Sequence, residues 1–535
     1  MLKATQPVPL SELDRRVFDQ LVPPEHYLRQ VQRHVDFERF RPRLVEAYHP
    51  TKGRPAIDPI RMLKILFLCF HYRLSDRQVM ARAQTDVAFR WFLDLGLSDA
   101  VPNHTSDTYF RNRIGVERFG QVFQDLVTQA REHGLVKDRL RLKDATHLLA
   151  SAADLAPRAL VAQVRDRLLA AAEPFFAEWV AEQRARLETL RQTTAEHPEV
   201  ERLAARIAYL REIAVPLRER VTALPAVGAA KDAKRQRLAN ALALAEKLLA
   251  DCDDPSAGNR LVNAVDPEAR TGWHGGIFLG YVVDLIEDAD SEIITAINVM
   301  AGNGAEAADA IALIEQEEAA QGNDVAGLSM DGAGFNGPML RELTDPAGLN
   351  LEVTVPPPPP PPAEPKRATF GPERFALTVI DEAVSELTCP NGQTTRQRSR
   401  TEKNTGYRYV FASRKCAGCP LRSECLENPG SAKGRSVIKN DYESEYGRVK
   451  AKAATTAYAE VRREHPKVER KLGELARHHG NRLARYRGRV KVLVQSYLCA
   501  WAVNVKRVVK LLTAPPVSQN GAQPVRAELG GLVGG

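Results

Sequence analysis

DVAGLSMDGAGFNGPM, residues 324 to 339, sets a carboxylate where a buried strand ends. The apolar run Val325 to Met330 reads as that strand, and Asp331 follows at once. Gly332, Gly334 and Gly337 then loosen the backbone, as if something must approach closely. Asp-Gly alone is also an ordinary turn. The stretch gains meaning only if other carboxylates converge on Asp331, and the chain offers two.

The first is Asp144, in RLRLKDATHLLAS (Arg139 to Ser151), where alternation puts Leu140, Leu142 and Asp144 on one face of a predicted strand. Further on, IFLGYVVDLI and EIITAINVM pattern as paired strands across the turn EDADS. A helix over 305–320, the strand reaching Asp331, a short helix and the strand LNLEVTV follow. Strand pairs followed by alternating helices and strands predict an α/β core with a mixed sheet.

The second is Glu469, in HPKVERKLGELARHHG. Proline suits the first helical position and glycine the residue past the end, so a helix is expected from Pro466 to about His479, stopped by Gly480. Val468, Leu472 and Leu475 form its buried stripe, with Glu469 on the flank and Glu474 turned to solvent. Glu460 and Glu464 precede it. Three converging carboxylates can hold two Mg²⁺ or Mn²⁺ ions, which prefer hard oxygen ligands and assist phosphodiester cleavage.

Charge points to the same partner. From Arg448 to Lys510 there are 17 Lys and Arg against 4 Asp and Glu, a net +13. From Asn263 to Glu352 there are 2 Arg against 17 acids, a net −15. A basic face of that density meets phosphates, or is a solvated helical surface. The acidic block reads largely as solvated surface able to concentrate divalent cations.

The 535 residues exceed one compact core, so about two to four domains are expected. Residues 1–135 read as an all-α region: Asp58-Pro59 opens IRMLKILFLCF, Ser75 and Gln78 form a capping box, and HTSDTYFRNRI carries Arg111 and Arg113. Such short helices fit a helix-turn-helix-like DNA-binding region, or a plain bundle. Residues 158–255 read as a helical insertion interrupted by Pro174, Pro198, Pro216 and Pro225, a packing or dimerisation arm. Pro356 to Pro362 predicts a polyproline II spacer of roughly 20 Å at about 3.1 Å per residue. The tail 514–535 reads as disordered. No apolar run is long enough to cross a bilayer, and the N-terminus lacks the apolar segment of a signal peptide.

Cys389, Cys416, Cys419 and Cys425 match a four-thiolate structural zinc site, with Cys416-x2-Cys419 as the tight knuckle. Unliganded or redox-active thiols are the alternative. Cys69, Cys252 and Cys499 sit in helical patterns as small apolar residues.

The order Asp144, Asp331, Glu469 resembles the DDE transposases of bacterial insertion sequences. KDATHLLAS is similar to their first-Asp motif, MDGAGFNG to the second, and VERKLGELARHHGNRLARYRG to the Glu motif. HPTKGRPAIDPIRMLKILFLCFHYRLSDRQVMARAQTDVAFRWFLDL resembles their N-terminal helical domain, and CAGCPLRSEC the Cys-rich insertion of one branch. Two departures stand out. The Lys usual seven residues after the Glu is Ala476 here, and TGWHGGIFLGYVVDL carries none of the lysines relatives often have.

The resemblance implies an RNase H-like catalytic core, its first strand in 136–157, its sheet in 256–355 and its basic C-terminal helices in 451–513. The spacer and Cys insertion occupy 356–450. It implies binding to the element's terminal inverted repeats, Mg²⁺-dependent cleavage and strand transfer into target double-stranded DNA. A homodimer assembled on DNA, in a bacterial cytoplasm with no membrane partner, is expected with it. Asp144, Asp331 and Glu469 would be catalytic. Arg111, Arg113, Arg477, Arg482, Arg485, Arg487 and Arg489 would contact DNA. A non-catalytic DNA-binding protein and a structure-selective nuclease are the rivals.

Overall fold

A computed structural model describes residues 10–53, 55–224, 229–359, 369–380, 385–401 and 405–514. Pro225, the last three prolines of the predicted spacer and the tail from 515 lie outside these residues. Among the described residues, no helix is long and apolar enough to cross a membrane.

The N-terminal region folds into helices α1 (Glu12–Leu21), α2 (Tyr27–His34), α3 (Arg41–Val45), α4 (Pro59–His71), α5 (Asp76–Thr85), α6 (Val87–Phe92) and α7 (Thr105–Glu132). Asp58 caps α4, accepting from the amides of Ile60 (2.8 Å) and Arg61 (3.1 Å), with Pro59 at the first helical position. Ser75 and Gln78 close the capping box of α5. The short helix expected at HTSDTYFRNRI is the first part of α7, which bends at Gly115, where φ is 74°. Glycine tolerates that left-handed backbone, so the chain kinks there and continues helical.

These helices do not close a core by themselves. They share one with the sheet and with the long C-terminal helix α19, Arg489–Thr513. Trp501 of α19 stands edge-on to Phe37, Phe40 and Phe67, at centroid separations of 5.6 to 5.9 Å. Such contacts add to the burial of large apolar areas.

The central sheet comprises β1 (Arg141–Leu149), β2 (Arg270–Trp273), β3 (Ile277–Asp288), β4 (Ile294–Ala301), β5 (Gly327–Ser329) and β6 (Glu352–Thr354). β3 pairs antiparallel with β1, with β4 over residues 281–287, and with β2 over 277–280. β1 then pairs parallel with β5, and β5 parallel with β6. The helix α12 (Ala310–Gln321) covers one face, packing Leu313 and Ile314 against Ile286 and Ala296. The result is a curled mixed α/β sheet.

Much of the acidic block proves not to be surface. Asp266, Asp284, Glu287, Asp288 and Glu317 are fully buried. Three of them meet cations from β1: Arg141 pairs with Glu317 (2.6 Å) and Asp288 (3.1 Å), and Lys143 with Asp284 (2.8 Å). The strand's own basic residues, read apart from the acids in sequence, are their counter-ions in space.

Residues 157–253 form a helical arm of α8 (Pro157–Ala172), α9 (Ala177–Thr193), α10 (Glu199–Thr222) and α11 (Ala229–Asp253), with its own core. Pro174 and Pro198 fall between helices as expected, but Pro216 stays inside α10. Ile213, Ala214 and Leu217 are buried on either side of it, so packing outweighs the lost backbone hydrogen bond. Beyond α13 (Gly337–Leu343), residues 369–440 form a small β module: β7 (Ala376–Val379), β8 (Ser385–Thr388) and β9 (Thr394–Thr395) in one sheet, β10 (Arg398–Thr401), β11 (Gly406–Val410) and β12 (Ser436–Asn440) in another. α14 (Ser413–Ala417) and α15 (Arg422–Cys425) sit between the last two strands, and α16 (Glu443–Ala453), α17 (Thr456–Glu464) and α18 (Pro466–His478) lead back to the core.

Candidate active site

Asp144 lies mid-strand on β1, which the parallel pairing of Arg141 with Leu328 and Leu142 with Ser329 sets beside β5. Asp331 follows the end of β5 and caps the turn Gly332–Gly334, accepting from the Ala333 amide at 3.1 Å. Glu469 is exposed in the first turn of α18, whose buried Val468, Leu472 and Leu475 pack into the shared core. Strand, strand end and helix start thus set Asp331 and Glu469, from distant parts of the chain, within electrostatic reach of Asp144.

The electrostatics register this convergence. Burial, joined by the charges of Asp331 and Glu469, pushes the Asp144 carboxyl up to about 6 against the Ala145 amide, which donates to it at 2.8 Å. Among the described residues, no three His, Cys, Asp or Glu side chains are arranged as a ready-made metal site. The donor chemistry fits hard divalent cations, which would relieve the mutual repulsion of the carboxylates.

The glycines after Asp331 divide their tasks. A side chain on Gly332 would meet open space, so the backbone there is open to approach. Gly334 and Gly337 are small for another reason: an added Cβ would lie 2.8 Å from Val355 and 2.4 Å from Tyr442. Only the first supports the expectation that these glycines admit a ligand.

Arg462 and His465 were not singled out in sequence. Arg462 donates to the Met330 carbonyl at 2.8 Å, and His465 meets the Ser329 hydroxyl at 3.2 Å, so both fix the strand end that carries Asp331. Their only signal was position, seven and four residues before Glu469 respectively.

Glu474 does not face open solvent. Lys471 and Lys506 pair with it at 3.3 and 2.6 Å, and against the upward push of burial they bring its carboxyl down to about 2. The lysine of α19 was out of reach of a one-helix projection. Glu464, at the end of α17, pairs with Arg139 and Lys467, each at 3.1 Å.

Arg113, Arg477, Arg482, Arg487 and Arg489 are exposed. Arg111 and Arg485 are not free to meet phosphates, a correction to the sequence reading. Arg111 pairs with Asp76 (2.6 Å) and lies over Tyr486, while Arg485 lies over Phe70 and donates to the Leu74 carbonyl (2.9 Å). Both fill the joint between the N-terminal helices and the segment after α18.

Cys389, Cys416, Cys419 and Cys425 line one cavity of about 20 Å³ beside Phe375 and Phe411. Burial pushes the Cys425 thiol up, and the other three thiols add to the shift. Soft donors are therefore gathered, though not drawn into a ligand set.

Two family models match the chain: a transposase domain (DUF772) over residues 16–113, and a transposase DDE domain over residues 388–509. Neither a curated protein nor a solved structure matches it. Together the two matches support an insertion-sequence DDE transposase. Glu469 and the four cysteines fall inside the second match, while Asp144 and Asp331 lie between the two.

One test isolates Asp144. Its folded value of about 6 exceeds the usual 3.8, so the folded chain binds this proton more tightly than the unfolded one. Its contribution to stability is greatest below about pH 4 and is lost as pH rises to about 6. Asp144→Asn removes the charged form and should stabilise the metal-free protein by about 2–3 kcal/mol at pH 7.5. Thermal melts in chelator check this, and a variant melting below wild type at pH 7.5 would contradict it.

Proposed function

We propose that the protein is an active transposase that binds the terminal inverted repeats of its element, hydrolyses the DNA there and joins the freed 3′-hydroxyls to target DNA. The observation that carries this is the shared field of Asp144, Asp331 and Glu469. The sheet supports it: the antiparallel strands β4, β3 and β1, with two parallel strands added beside β1, match the arrangement of an RNase H-like core, and β2 adds a further antiparallel strand on β3.

DDE transposases work with divalent metal ions. Asp144, Asp331 and Glu469 would hold two Mg²⁺ or Mn²⁺ ions, which supply activation of water or a 3′-hydroxyl and stabilise the leaving oxygen. Arg462 and His465 hold the Asp331 turn in place, and the open backbone at Gly332 leaves room for the scissile phosphate. Arg113, Arg477, Arg482, Arg487 and Arg489 contact the DNA backbone, and the N-terminal helices supply sequence choice. The protein acts as a homodimer on DNA in the bacterial cytoplasm.

The test is nicking of a plasmid carrying the element ends, with and without Mg²⁺. Metal-dependent nicks at the ends followed by joined products are expected. Binding without nicking would make the chain a DNA-binding protein only, and cleavage without joining a nuclease.

The Cys-rich module holds one structural zinc, supported by the four thiols around one cavity. Metal analysis should find about one equivalent per chain. Cys416→Ser or Cys419→Ser should lower it and increase proteolysis within 389–425. Unchanged metal content in both variants would remove the site.

A further inference from the structure

The helical arm lies outside both family matches, and its role follows from where its charges sit. Residues 157–253 contain 16 Lys and Arg against 14 Asp and Glu, so the arm as a whole is nearly neutral. Its cations are nevertheless concentrated at one place. Between arm and core runs a cleft of about 820 Å³, with Arg167, Lys234, Arg237 and Lys247 on the arm side and Arg487 on the core side. Among the described residues Glu268 is the one acid lining it, and its carboxylate already accepts from the Arg489 amide.

Three of these cations are already engaged. Lys247 pairs with Asp251, and Arg167 and Arg487 donate to the carbonyls of Ala264 and Ser151. Lys234 and Arg237 are exposed on α11 and have no ion-pair partner among the described residues. Their three-residue spacing puts both on one helix face, which continues through Ala241 and Leu244 along the cleft. Small alanines on both helices leave the backbone approachable, so the charged rims rather than bulky side chains define the groove. Unpaired cations on α11 facing Arg487 across such a groove fit a polyanion, and Arg487 joins it to the exposed Arg482 and Arg489.

We propose that this cleft clamps the sugar–phosphate backbone of the element's DNA at a distance from the cleaved bond; the proposal rests on the reading that the protein acts on DNA. The distance can be bounded. Arg487 donates to the carbonyl of Ser151 at 3.4 Å, and Ser151 stands seven residues beyond Asp144 along β1 and its continuation. At about 3.3 Å per residue this is at most about 23 Å, or about seven phosphates at about 3.4 Å per nucleotide. The core side of the clamp therefore engages DNA no more than about seven nucleotides from the scissile phosphate, with Lys234 and Arg237 on the far side of the groove.

The experiment uses the full chain with Lys234→Gln, Arg237→Gln and the double variant, bound to an element-end duplex between 50 and 200 mM salt. Each phosphate contact contributes about 0.9 to the slope of log affinity against log salt, so the double variant should bind with a slope shallower by about 1.8. It should also lose part of the phosphate-ethylation interference that the wild-type chain shows on the end duplex away from the scissile phosphate. Arg191→Gln, an exposed cation elsewhere on the arm, should leave slope and interference unchanged. A double variant with wild-type slope and interference would overturn the clamp while leaving the transposase reading intact. Absence of DNA binding by the wild-type chain would sink both.

Discussion

Replacing Glu469 by Gln should lower Mg²⁺-dependent cleavage at least about a thousandfold, with end binding within about twofold of wild type. A thousandfold is about 4 kcal/mol of transition-state stabilisation, in the range a catalytic divalent ion supplies. Gln keeps the size of the side chain but loses the charge that acts on Asp144. Little structural damage is expected, because Glu469 is exposed and α18 is held by Val468, Leu472 and Leu475. Glu474→Gln is the informative control. It breaks the pairs with Lys471 and Lys506, so it should lower stability while cleavage at matched occupancy stays near wild type. Wild-type cleavage by the Glu469 variant would end the assignment. Glu464 would be the next candidate, although Arg139 and Lys467 already hold its carboxyl below the usual range, against burial.

The second large effect lies beneath the site. Arg141 is fully buried three residues before Asp144 and is shared between Glu317 and Asp288, themselves fully buried. Arg141→Met fits the space but strands two carboxylates. Breaking a buried pair by removing one partner costs about 3–5 kcal/mol, because the remaining charge is uncompensated. Arg131 still reaches Glu317 at 2.7 Å, which softens the loss at one acid but not at Asp288. Urea unfolding should show a lower midpoint with little change in slope. A midpoint shift worth under about 1 kcal/mol would mean that the network is dispensable.

The sequence made the placement of the three acids on their elements readable because its signals are local. Alternation around Asp144, the apolar run before Asp331 and the Pro466-to-Gly480 bracket around Glu469 each fix an element within one short window. The paired strands β3 and β4 were legible for the same reason. What was lost depended on contacts far apart in the chain. Arg111 and Arg485 look like DNA contacts until Tyr486 and Phe70, each more than 350 residues away in the chain, come to lie against them. Net charge by window counted Asp284 and Glu317 as surface, although their counter-ions Lys143 and Arg141 sit more than a hundred residues earlier. Pro216 read as a break because helix propensity is local, whereas the packing that overrides it is not.

The seat of Trp501 sets the order in which a newly made chain can mature. Phe37, Phe40 and Phe67 leave the ribosome early, but the indole that fills the space between them arrives about 400 residues after α6 is finished. At about 5–20 residues per second, the N-terminal helices wait about 20–80 s with an open apolar face. A transcript cut short, or a frameshift anywhere before α19, therefore yields an N-terminal fragment whose apolar face stays open. Only chains read to the last helix close that face.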